Sequence, residues 1–107
     1  MKIYKGKRLG GAEGIPWVRV TVNGKPLEHH VCHSPTGFEW GHGGDGPADL
    51  ARSILWDFIG AEPTPSLYQD FKYHFVLGWK DTWEITSEEI QNWMNKKGAN
   101  KGKGGQI

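Results

Sequence analysis

At 107 residues the chain has room for one domain and one hydrophobic core, which excludes a multi-domain enzyme. Thirteen basic and twelve acidic side chains leave a formal net charge of +1, but residues 1–8 and 96–107 hold four basic residues each, so five remain in between to face all twelve acids. An acidic body of this kind repels a duplex, and nucleic-acid binding is expected of it only if the ends or one local patch carry it.

In chain order, residues 2–8 (KIYKGKR) predict an edge-like first strand whose lysines discourage sheet-to-sheet pairing, and Gly10, Gly11 and Gly14 then predict a loop. Trp17–Val22 is rich in β-branched residues and runs into Asn23-Gly24, the strongest short hairpin signal, so a third strand is expected to return over Leu27–Cys32. Ser34-Pro35-Thr36-Gly37 turns the chain, and Phe38-Glu39-Trp40 predicts a short fourth strand. From Pro47 to Ile59, the residues Leu50, Ala51, Ile54, Leu55, Phe58 and Ile59 share one helical face, with Gly60 at the C-terminal cap.

A linker, Ala61–Pro65, leads to Ser66 as an N-cap, and Leu67, Phe71 and Phe75 recur every fourth residue toward Gly78. That spacing predicts a second helix, although the alternation in Phe71–Phe75 also suits a strand. Trp83-Glu84-Ile85 is extended in character, and Thr86-Ser87-Glu88-Glu89 is a capping box opening a last helix with Ile90, Trp93 and Met94 inward. The expected class is α+β, an antiparallel meander of three to four strands packed against two to three helices. It forms a single domain over residues 1–97, followed by a flexible Gly/Lys-rich tail at 98–107.

The single cysteine, Cys32, excludes an internal disulfide and fits a reducing compartment. With no long apolar run and no apolar leader after Met1, a cytoplasmic protein without a membrane partner is expected. Thirteen aromatic residues, six of them Trp, must supply much of the buried area, and some of those rings are available as contact surface.

The chemistry concentrates between Phe38 and Leu50. Gly41, Gly43, Gly44 and Gly46 run into Pro47 at a helix start, a backbone concavity at the positive helix end that accepts an anion such as phosphate. Neither G-x-G-x-x-G nor the Walker pattern is present, and a tight strand-to-helix connection is the structural alternative. On the helix, Asp49, Arg52 and Trp56 fall away from the apolar face. Arg52 and Trp56, four apart, can stack guanidinium on indole, unless Trp56 packs under another element. His42 beside Glu39, Asp45 and Asp49 offers general-base chemistry, but no motif specifies a reaction and no catalytic residue is assigned. Glu28-His29-His30-Val31-Cys32-His33 has metal-ligand residue types. On a strand, alternation leaves at most two per face, short of the three or four that zinc requires, so neither a metal nor a cofactor is expected.

His33-Ser34-Pro35-Thr36-Gly37-Phe38-Glu39-Trp40-Gly41, followed by Gly43-Gly44-Asp45-Gly46-Pro47 and Ala48-Asp49-Leu50-Ala51, resembles the signature of a family of short phage and bacterial proteins grouped as a domain of unknown function. The similarity extends through Phe71–Trp79 and Trp83–Thr86. The chain departs from the pattern at His42, where an aromatic residue is usual, and at Asp45, where serine is. The resemblance implies a phage or mobile-element context and brings no activity.

Two functional expectations follow. The first is a small, non-enzymatic accessory protein that binds a nucleotide-like anionic ligand, as a sponge for a host defence signal, through Trp40, His42, Gly43, Gly44, Gly46, Arg52 and Trp56. The second is a protein-binding inhibitor of a host defence effector, anti-CRISPR-like or imitating nucleic-acid charge with an acidic, tryptophan-bearing surface. Asp45 counts against the first and favours the second. The oligomeric state is open.

Overall fold

The computed structural model describes residues 1–98 in full and the backbone path through residue 106. The expected tail at residues 98–107 lies, beyond its first residue, outside that fully described part. The elements are β1 (Ile3–Arg8), β2 (Val18–Val22), β3 (Lys25–Pro26), α1 (Asp45–Ile59), α2 (Pro65–His74), a 3₁₀ turn at Val76–Gly78, β4 (Thr82–Thr86) and α3 (Ser87–Gln106). The sheet is antiparallel, in the order β3-β2-β1-β4, and with three helices packed against it the fold is α+β.

β1 is a central strand and not an edge. Tyr4 lies opposite Val22 on β2 and Ile85 on β4, while Gly6 lies opposite Val20 and Trp83. Burial follows the pleat, with Tyr4 and Gly6 buried and Lys5 and Lys7 exposed. Gly6 has a steric reason, because a Cβ there would come within 2.2 Å of the Trp83 indole. The Asn23-Gly24 turn forms with both φ angles positive, at 50° and 81°, the geometry whose twist matches paired strands.

Two expected strands, Leu27–Cys32 and Phe38–Trp40, are absent, and Trp83-Glu84-Ile85 supplies the fourth strand instead. The return strand ends at Pro26, which has no N–H of its own; Leu27 N still donates to the Val20 carbonyl at 3.0 Å, and from His30 on the backbone bonds to α1 side chains. The N-cap of α2 is Thr64 and not Ser66: its hydroxyl accepts from the Leu67 N–H at 3.2 Å, and Pro65 takes the first helical position. The other caps follow the sequence reading. Gly60 closes α1 at φ 83°, and Thr86 Oγ1 accepts from Glu89 N while Glu89 Oε1 accepts from Thr86 N.

The core lies between the inner sheet face, with Tyr4, Val20, Trp83 and Ile85, and the helices, with Leu50, Ile54, Leu55, Phe71, Ile90 and Trp93. Trp79 stacks on Trp83 at 3.9 Å between ring centroids, and Trp40 meets Trp83 edge-on at 5.7 Å. Much of the core volume is therefore aromatic, and each such side chain fully buried contributes roughly 1.5–3 kcal/mol.

Candidate functional site

α1 is buried around nearly its whole circumference, from Gly46 through Leu55. The expectation that its Asp49–Arg52 face looks away from the interior is corrected. Residues 29–34, which form neither helix nor strand, lie across that face. A covered backbone must find partners for its N–H and C=O groups, and α1 supplies them.

Asp49 is 0 % exposed. Its Oδ2 accepts from Ser34 N at 2.9 Å, Cys32 N at 3.1 Å and His29 Nε2 at 2.9 Å, and its Oδ1 accepts from His33 N at 2.9 Å. Ser53 Oγ accepts from His30 N at 3.0 Å, and Arg52 Nη1 donates to the His30 carbonyl at 2.6 Å. Burial pushes the Asp49 carboxyl up, but the hydrogen bonds from His29 and from the Ser34, Cys32 and His33 N–H groups more than offset it and hold it below the usual carboxylate range.

The His/Cys segment is therefore a loop wrapped on a carboxylate, and strand alternation does not sort its side chains. His33 Nε2 meets the Tyr68 hydroxyl at 2.7 Å, and His30 stacks flat on Trp56, with centroids 3.8 Å apart. Among the described residues no group of three His, Cys, Asp or Glu side chains is arranged for a metal ion.

The glycine loop is open. Gly41, His42 and Gly43 are exposed, Gly44 is the N-cap of α1, and its N–H donates to His42 Nδ1 at 3.1 Å. Gly46 instead is a packing residue, because a Cβ there would lie 2.6 Å from the Glu39 Cβ. Arg52 does sit over Trp56, at 4.8 Å from the ring centroid, as the spacing predicts. However, Arg52 is buried and held by the His30 carbonyl and by Glu62. At about 1.5 Å of rise per residue it lies roughly 12 Å along the axis from Gly44. The loop and the Arg52–Trp56 pair are separate features of the helix.

Trp40 is fully buried. Its indole N–H donates to the Lys80 carbonyl and the Arg8 guanidinium covers the ring at 4.8 Å, so it presents no face to a ligand. The general-base cluster does not assemble either: Glu39 pairs with Arg8 and Asp49 is enclosed, away from His42.

Three residues at the loop escape sequence reasoning. Lys72, 5 % exposed, donates from Nζ to the Gly43 carbonyl at 2.9 Å and lies 4.6 Å over the ring of Tyr73. Tyr73, 62 % exposed, and Leu77 stand beside Gly43. Nothing local links Lys72 to Gly43; the only signal is a lysine directly after a core-facing Phe71. Together these groups are of the kinds that hold a small anion with an attached planar group: a helix start, where the Gly44 N–H goes to His42 and Pro47 has none, an ammonium, an imidazole and an exposed ring. The Asp45 carboxylate stands exposed at the same helix start.

A model of a family of unknown function (DUF6166) matches residues 4–96 of the chain. No curated protein and no solved structure matches it. No helix among the described residues is long and apolar enough to cross a membrane.

Proposed function

We propose that this chain, which belongs to the family of unknown function matched over residues 4–96, is a non-enzymatic protein that seats a nucleotide-like anion at the N-terminal end of α1. The observation that carries the reading is the meeting of exposed Gly43, the Lys72 ammonium on its carbonyl and the exposed Tyr73 ring beside it. In this reading the phosphate takes the helix-start N–H groups and draws on Lys72, with His42 as a further donor and Tyr73 as the stacking face. Gly43, Gly44 and His42 then line the seat, with the Gly44 N–H given to His42 Nδ1. In this reading Trp40, Gly46 and Arg52 serve the fold, and Trp56, half-buried beneath His30, lies apart from the loop. Asp45 beside the seat disfavours multiply charged phosphates, so the preferred ligand carries a single negative charge, as a cyclic mononucleotide does. Capture of such a signal suits the phage or mobile-element accessory role that the sequence resemblance implies.

Titration calorimetry with cyclic, mono- and triphosphate nucleotides tests the seat. Lys72→Met and Tyr73→Ala should each weaken binding by about tenfold or more, with the cyclic form bound best, while Arg52→Ala leaves affinity unchanged. Loss of binding in Arg52→Ala with Lys72→Met unaffected would place the ligand elsewhere. If no nucleotide binds and the protein instead retains a basic host protein in a salt-sensitive complex, the inhibitor reading replaces this one.

A further inference from the structure

The outer face of the sheet, turned away from the helices, carries a second charged surface independent of the α1 loop. Lys5 and Lys7 on β1, Arg19 on β2, and Thr82 and Glu84 on β4 are all exposed. Register places Lys7 directly opposite Arg19. Like charges directly opposite one another across an antiparallel pair are destabilising. Lys5 is compensated by Glu84 at 3.7 Å, whereas among the described residues neither Lys7 nor Arg19 has a carboxylate within ion-pair distance. A shallow concavity of about 550 Å³ runs across this face, lined by Lys5, Lys7, Arg19, Thr21 and Thr82 and by the Glu84 carboxylate that pairs with Lys5.

Trp17 stands at the same end of the sheet. It precedes β2, its carbonyl still accepts the Leu9 N–H at 2.8 Å, and counting by twos back from Thr21 and Arg19 reaches it. Its side chain is 72 % exposed. It lies so close over Gly11 that a Cβ there would come within 2.3 Å of it, and Gly11 adopts φ 67°, which favours glycine. A tryptophan backed by Gly11 and otherwise exposed offers an open ring face for stacking.

We propose that this face binds single-stranded nucleic acid, with the Lys7–Arg19 pair and Lys5 along the phosphates and a base stacked on Trp17. Cations beside an exposed aromatic are what sequence-tolerant recognition of a single strand uses. The surface is shallow, which suits a chain laid across it better than an enclosed small molecule. A duplex would bring a second phosphate strand against the acidic remainder of the molecule.

Fluorescence anisotropy with a short labelled oligothymidylate at low salt tests the proposal. The wild-type protein should bind, with intrinsic tryptophan emission quenched, and affinity should fall as salt rises. Trp17→Ala should weaken binding by about tenfold and remove most of the quenching. The double variant Lys7→Gln/Arg19→Gln should lower the slope of log affinity against log salt by about 1.4, corresponding to two lost phosphate contacts. All these positions are exposed, and circular dichroism confirms that the variants fold. Lys72→Met, in the α1 seat, should leave oligonucleotide binding intact, so the two sites succeed or fail separately. No binding at low salt, an unchanged salt slope in the double variant, or equal affinity for a duplex of the same sequence overturns the proposal.

Discussion

Asp49→Asn keeps the shape of the buried side chain and removes its charge. The carboxylate takes three hydrogen bonds on Oδ2 and one on Oδ1. An amide can keep its oxygen on only one side. If the oxygen takes the place of Oδ2, the NH₂ group faces the His33 N–H donor to donor, and that amide is left enclosed without a partner. Hydrogen bonds to a charged group contribute about 1.5–3 kcal/mol each and a stranded buried donor costs about 1–3 kcal/mol, so a total loss of roughly 2–4 kcal/mol is expected after partial relaxation. For a domain of this size that lowers Tm by roughly 10–25 °C at neutral pH.

Thermal melting across pH adds a second readout. The folded-state pKa of Asp49 is depressed, so its contribution is complete above the ordinary carboxylate pKa of about 3.9 and is lost as pH falls through the folded value. Asn cannot titrate, and the difference in Tm between the two proteins should narrow at acid pH. A variant melting within about 2 °C of wild type at neutral pH, or a difference that stays constant with pH, would refute the assignment of Asp49 as the anchor of residues 29–34.

Gly46→Ala should destabilise by about 1–3 kcal/mol in chemical denaturation, because the added methyl meets Glu39 at 2.6 Å and must displace either that segment or the first turn of α1. Thr64→Ala should cost about 1 kcal/mol while Ser66→Ala is close to neutral, as only the Thr64 hydroxyl caps α2; equal effects would contradict the cap.

The parts of the fold legible in the sequence are those whose cause is local. Leu50, Ile54 and Leu55 report helix α1 through their spacing, Asn23-Gly24 reports its hairpin through backbone geometry, and Thr86 with Glu89 reports a helix start through reciprocal bonds across one turn. The expectations that the structure overturns concern segments set by distant partners. The hairpin predicts a return strand over Leu27–Cys32, but beyond Leu27 the backbone groups are taken by Asp49, Arg52 and Ser53, and no pattern inside the segment announces that. Trp83-Glu84-Ile85 is too short to show where it pairs, and the clue was the glycine facing Trp83 in β1. The candidate site is legible as a glycine-rich helix start, while Lys72 and Tyr73 beside it are not, since they come from a helix read only for its apolar face. Polar residues opposite an apolar stripe normally mean solvent, and here they serve a covered loop.

Because Asp49 reads main-chain amides, the shape of the Cys32–Ser34 segment is specified from outside it. The side chain at Val31 is exposed and can change without disturbing the path that Asp49 holds, whereas Cys32 also meets the Tyr68 hydroxyl. The His-Ser-Pro and Ala-Asp-Leu-Ala blocks, separated in the chain, are thus the two halves of a single clasp.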